Sequence, residues 1–286
     1  MAISANLVGE YEAQWGEGPI WHEGYLLCVD IEGHKVIRFD PASGSETVVD
    51  VGERVGTVVP RKSGGWVIAG DNGFSFVDPE SGTVTRIADP EPDKKPDNRF
   101  NDGKCDPAGR FWAGTISTVK KTGAAALYML DAEGKVHLKY PNVTNSNGLC
   151  WSADAGTFYY IDTPSKKVRA FDFDNANGEI SGERTAIDTQ HITSSPDGMA
   201  IDVNGNLWVA FCRGSAVICF DPATGGELDR IDLPVTGVTA CAFGGPDLKT
   251  LFITTGRFAN LDEPDAGRLF EAKPGVAGMP SFSYSG

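Results

Sequence analysis

Trp15-Gly16-Glu17-Gly18-Pro19-Ile20-Trp21 is followed at once by the turn residues His22-Glu23-Gly24 and by the apolar run Tyr25 to Val29. An acid held before a glycine thus leads into a strand-like run, a hairpin signal and a second strand-like run. The order comes back along the chain. Arg61-Lys62-Ser63-Gly64-Gly65, Asp106-Pro107-Ala108-Gly109, Ser152-Ala153-Asp154-Ala155-Gly156, Asp202-Val203-Asn204-Gly205-Asn206 and Gly245-Pro246-Asp247-Leu248-Lys249 are the matching turns. Each precedes an aromatic and β-branched run: Trp66 to Ala69, Phe111 to Thr115, Phe158 to Ile161, Leu207 to Phe211 and Leu251 to Thr255. A second turn closes each unit, at Asp40–Gly44, Asp78–Gly82, Asp131–Gly134, Asn175–Gly178, Asp221–Gly225 and Ala272–Gly275.

Units of roughly 40–50 residues, each a meander of about four short strands, match the blade of a propeller. No stretch sustains a helical apolar period for three turns, and a pair of β-sandwiches would not require the same turns in the same order. The reading is an all-β, six-bladed β-propeller filling residues 1–286 as one domain. Closure of the ring calls for a strand from one chain end, with Glu10 to Trp15 or Met279 to Tyr284 as the expected piece. Three segments break the period, Ala88 to Phe100, Ser117 to Ala126 and Arg257 to Gly267, and are expected as loops at the binding face.

Composition bounds the partners. With 25 Lys and Arg against 39 Asp and Glu, the formal charge of −14 opposes phosphate backbones and anionic lipid. No nucleic acid or membrane is expected, and no apolar run reaches the length of a membrane span. The six cysteines lie singly in apolar runs and read as buried free thiols, so a reducing, cytoplasmic setting is expected, with the chain a monomer or weak homodimer. His22, His34, His137 and His191 show no triad or zinc spacing, and there is no nucleophile elbow or phosphate loop.

The opening motif has companions at Asn101-Asp102-Gly103, Asn147-Gly148-Leu149 and Asp197-Gly198-Met199. If each begins an innermost strand, Glu17, Asn101, Asn147 and Asp197 meet around one mouth of the central channel, with small residues near Gly56 and Ala240 expected to leave the ring open on the remaining sides. Carboxylates facing each other in a channel repel, and a cation resolves that cost. An all-oxygen set favours Ca²⁺, Mg²⁺ or Mn²⁺, and few protein ligands leave positions for water and substrate. Taken singly, each Asn-Gly or Asp-Gly is more often a turn than a ligand.

Gly16-Glu17-Gly18-Pro19, Asn98-Arg99-Phe100-Asn101-Asp102-Gly103, Ser146-Asn147-Gly148-Leu149, Tyr160-Ile161-Asp162, Pro196-Asp197-Gly198-Met199 and Cys241-Ala242-Phe243-Gly244-Gly245 together resemble the senescence marker protein/gluconolactonase family, which takes in regucalcin, sugar lactonases and the luciferin-regenerating enzyme. The resemblance implies a six-bladed propeller holding one divalent ion through Glu17, Asn147 and Asp197, with Ca²⁺ first and Mn²⁺, Mg²⁺, Zn²⁺ or Fe²⁺ as alternatives. It places substrate contacts on Arg99 and Asn101, and Asp197 as the catalytic proton acceptor from water. Where regucalcin-like members carry a substrate-contacting Glu, this chain has Thr118, which puts sugar preference in question.

The expected function is a metal-dependent hydrolase opening a sugar lactone, a small-molecule substrate, to its aldonic acid. Arg99 would neutralise developing charge or hold a substrate oxygen, although it could instead pair with Asp97 or Asp102. The alternatives are a phosphotriester or fluorophosphate hydrolase and a non-catalytic, calcium-binding regulator.

Overall fold

The computed structural model describes residues 3–286 and holds six four-stranded antiparallel sheets among them. The innermost strands are Gly16–His22, Val55–Pro60, Asn98–Cys105, Ser146–Trp151, Ser195–Ile201 and Val238–Gly244, numbered here as blades 1 to 6. Each packs against the next in chain order, and the first packs against the sixth, so the sheets close into a ring. Every second strand falls on one of the aromatic and β-branched runs: Tyr25–Asp30, Trp66–Gly70, Phe111–Ser117, Thr157–Asp162, Leu207–Cys212 and Thr250–Thr255. Their residues alternate between the faces of the sheet, and both faces are covered by neighbouring blades. That is why they read as nearly continuous apolar runs.

Ring closure differs from the sequence expectation. The outer strand of blade 6 is Ala5–Val8, paired antiparallel with Leu269–Ala272 from Ala5 opposite Ala272 to Val8 opposite Leu269. Glu10 to Trp15 does not do this, because its backbone is taken up by blade 1 and by Arg257 and Gly267: the Ala13 amide donates to Gly267 O and the Arg257 amide to Gln14 O, each at 2.9 Å. The Glu10 and Tyr11 amides donate to Glu46 Oε2 at 3.1 and 2.9 Å, and those of Gln14 and Trp15 donate to Asp30, each at 2.9 Å. Met279 to Tyr284 instead crosses the face formed by the turns between first and second strands. The Met279 amide donates to Ile201 O at 3.1 Å and the Tyr284 amide to Pro60 O at 2.8 Å, which straps blade 5 to blade 2. The buried Tyr284 hydroxyl donates to Asp131 O at 2.6 Å.

The turns named in the sequence take their geometry from one recurring device. Asp106 accepts from the amides of Ala108 and Arg110, each at 3.0 Å, and from Trp112 Nε1 at 2.9 Å. Asp202 repeats this with Asn204, Asn206 and Trp208 Nε1. A carboxylate that satisfies turn amides and an indole together fixes the hairpin and the core tryptophan in one step.

All three irregular segments lie on the face opposite the strap. Strand direction alternates, so connections into a first strand and from a second to a third share the end where the innermost strands begin. The segments occupy 89–97, 118–124 and 256–268, so the first is shorter than expected because Asn98–Phe100 already belongs to a strand. The first and second enclose a groove of about 430 Å³ lined by Lys94, Asn98, Ser117 and Lys121.

Candidate metal and substrate site

Every innermost strand breaks register near its start. The irregularities fall between Glu17 and Ile20, Val55 and Thr57, Phe100 and Gly103, Asn147 and Leu149, Pro196 and Met199, and Val238 and Ala240. A bulge leaves residues unpaired and turns the strand sharply, which aims side chains into the channel. The recurring glycines belong to these bulges. A Cβ on Gly56 would lie 2.4 Å from Asn101 O, one on Gly148 2.7 Å from Asp197 O, and one on Gly198 2.4 Å from the Ala240 Cβ. The small residues let adjacent strands touch and close the channel; they do not make turns, and those near Gly56 and Ala240 do not open the ring.

Three carboxylates meet inside: Glu17 and Asp102, each 3% exposed, and Asp197, 7% exposed. Glu17 Oε2 accepts from the Gly18 amide at 2.9 Å and Asp102 Oδ1 from the Gly103 amide at 2.6 Å. Burial pushes all three carboxyls above their usual range. The charges of Asp197 and Asp102 push Glu17 further, and that of Asp102 pushes Asp197. Opposing this, Arg99 acts on Glu17 and Asp197, the Cys212 thiol hydrogen-bonds Asp197, and Lys104 acts on Asp102. The ring therefore holds more negative charge than its own cations neutralise.

Asn147 is 2% exposed and oriented by its neighbours. Its Nδ2 donates to Thr163 Oγ1 at 2.8 Å, whose hydroxyl donates to Pro196 O at 2.9 Å. Its Oδ1 accepts from Asn101 Nδ2 at 3.1 Å and keeps a second lone pair. Asn101 also donates to Ser146 O at 2.7 Å and accepts from Arg99 Nη1 at 2.9 Å. It links Arg99 to Asn147, and the oxygen that blade 3 presents to the ring is the carboxylate of Asp102. Arg99 Nη1 also donates to Phe100 O at 2.8 Å, while its buried Nε has no partner.

The structure thus brings Glu17, Asn147, Asp197, Arg99 and Asn101 together. Thr118 stands apart from them in contacts: it is exposed, and its hydroxyl donates to Asp97 O at 2.9 Å, tying the second irregular segment to the first. Sequence reasoning passed over Asp102, Lys104, Thr163 and Cys212. Asp102 had a signal, since it is the acid directly before the glycine. Among the described residues no three His, Cys, Asp or Glu side chains form a metal cage by themselves. All six cysteines are free, and only Cys212 is not fully buried.

Residues 15–257 match the model of the SMP-30/Gluconolactonase/LRE-like region. Regucalcin of Danio rerio is 41% identical over 296 aligned positions, covering 100% of this chain and 99% of that protein. A luciferin-regenerating enzyme structure superposes with a TM-score of 0.91 at 28% identity, covering 99% of this chain and 100% of the other. The structure of a calcium-binding protein, regucalcin, from Agrobacterium tumefaciens gives 0.89 at 28%, covering 100% and 99%. The repeated oxygen-bearing slots, the ring they build and these likenesses agree that the chain belongs to the SMP-30/gluconolactonase/LRE-like family.

Proposed function

We propose that the chain is a divalent-metal-dependent lactonase that opens a sugar lactone to its hydroxy acid. One observation carries the reading: three buried carboxylates, all raised by burial and two of them further by neighbouring carboxylate charge, beside an oriented amide oxygen, a donor set whose electrostatic cost a hard cation offsets. Glu17, Asp197 and the Asn147 Oδ1 would hold that ion, with Ca²⁺ the first candidate. When bound, it supplies Lewis acidity toward a carbonyl oxygen.

The protein's own groups supply the rest. Asp197 accepts a proton from the water that attacks the lactone carbonyl carbon. As the ring C–O bond breaks, the departing oxygen takes up a proton and becomes the hydroxyl of the product. Arg99 offers a desolvated N–H with no partner in the protein, suited to an oxygen of the substrate. Asn101 keeps Arg99 and Asn147 in register with each other. Thr118, bonded to the neighbouring segment, would bear on substrate preference through the shape of the mouth.

A second reading, a calcium-binding regulator without turnover, is supported by the description of the Agrobacterium tumefaciens relative as a calcium-binding protein. Acid release from a panel of sugar lactones, followed with a pH indicator before and after chelation, separates the two. Chelator-sensitive turnover is expected. Cation binding with no acid release from any lactone would sink the lactonase, and turnover of fluorophosphates alone would redirect it to phosphorus esters.

A further inference from the structure

Asp102 and Lys104 lie two residues apart on the innermost strand of blade 3. Lys104 extends across the channel, and its ammonium donates to Met199 O on the innermost strand of blade 5, two residues beyond Asp197. It is a crossbar beneath the carboxylates, anchored at both ends. On its far side is a cavity of about 100 Å³ walled by Ile20, Cys150, Ile201 and Phe243 and closed by Met279 and Phe282 of the strap. Walls that are largely apolar screen the ammonium less than bulk water does, so its charge is felt by the ring.

We propose that Lys104 is a positioning charge that sets how tightly, and at what valence, the ring binds a cation. The inference rests on the cation site proposed above, but not on lactone turnover. With all three carboxylates ionised, as cation binding requires, the ring sets three negative charges against Arg99 and Lys104, and a divalent ion takes the total to one positive. Without Lys104, a divalent ion would bring the ring to neutrality. Lys104 therefore weakens divalent binding, opposes trivalent ions more strongly, and limits repulsion while the ring is empty. Arg99 does not duplicate this role: it acts on Glu17 and Asp197, whereas Lys104 is the side-chain cation acting on Asp102.

The test is calorimetric titration of the full chain with Ca²⁺ and with La³⁺ at neutral pH. Lys104→Gln keeps a donor for Met199 O without the charge, Lys104→Met removes both, and Lys104→Arg keeps the charge. The two neutral variants should bind Ca²⁺ about tenfold more tightly or better, and La³⁺ by a larger factor, as the product of charges requires. Lys104→Arg should stay within about threefold of the parent. Unchanged or weaker Ca²⁺ binding in a folded Lys104→Gln protein overturns the role of Lys104 and leaves the cation site standing. A parent protein that binds neither ion overturns both.

Discussion

Asp197 and Arg99 serve the proposed reaction in different ways, and kinetics can tell them apart. With Asp197 as the proposed proton acceptor, Asp197→Ala should lower kcat by about 10²-fold or more with the cation saturating. Arg99→Ala removes binding shared by ground and transition states and should raise KM with a smaller change in kcat. Near-full kcat in Asp197→Ala would end the general-base assignment. The same carboxylates make the metal-free protein sensitive to pH. A carboxyl whose folded value lies above its unfolded value of about 4 binds its proton more tightly when folded. Stability is then greatest below that value and falls as pH rises through the raised ones. In chelator, the parent Tm should decline from pH 5 to 8 relative to Glu17→Gln, and added Ca²⁺ should restore more at the alkaline end. Parallel curves for the two proteins would contradict it. At this scale Glu17, Asn147 and Asp197 were legible as equivalent positions, whereas Asp102 was displaced by Asn101. Blades 1, 3 and 5 have two unpaired residues in their bulges and blades 2, 4 and 6 one, so counting along a fixed period slips by a residue.

The strands themselves were easier to read than their irregularities. The second strand of each blade is buried on both faces, and its aromatic and β-branched runs mark it to within about two residues at either end. The bulged starts look in sequence like turns, because an Asn-Gly or Asp-Gly pair serves both purposes and nothing local reveals a neighbouring strand whose backbone lies 2.7 Å from where a Cβ on Gly148 would sit. That proximity makes a prediction about elements. Gly56→Ala and Gly198→Ala must push adjacent innermost strands apart and should each cost about 1–3 kcal/mol by chemical denaturation. Gly56→Ala should also weaken cation binding, since the carbonyl it displaces belongs to Asn101, which orients Asn147. Wild-type stability in both variants would mean that the strands are not packed as closely as described. The fourth strand of blade 6 was misjudged for a comparable reason. Ala5 to Val8 is short and largely exposed, and only its partner Leu269–Ala272 gives it a purpose.

Across the whole molecule, two devices hold the ring shut: the pairing of Ala5–Val8 with Leu269–Ala272, and the strap from Gly278 to Gly286. The strap reaches four separate blades, through Leu248, Ile201, Pro60 and Gly109, and buries Tyr284 against the core. Removing residues 278–286 should lower Tm by about 10 °C, from loss of a few kcal/mol of burial and hydrogen bonding. It should also raise dye binding at the uncovered cavity. A truncated protein with unchanged Tm would show the strap to be ornamental. The pairing of chain-distant strands has a further meaning during synthesis. Ala5–Val8 leaves the ribosome long before its partner, and at about 5–20 residues per second the 260 residues between Val8 and Leu269 impose a wait on the order of tens of seconds. Blades 1 to 5 are each contiguous in sequence and can form as they emerge. The sixth cannot, so the nascent polypeptide carries one unmatched strand and an unclosed ring until Leu269–Ala272 has emerged.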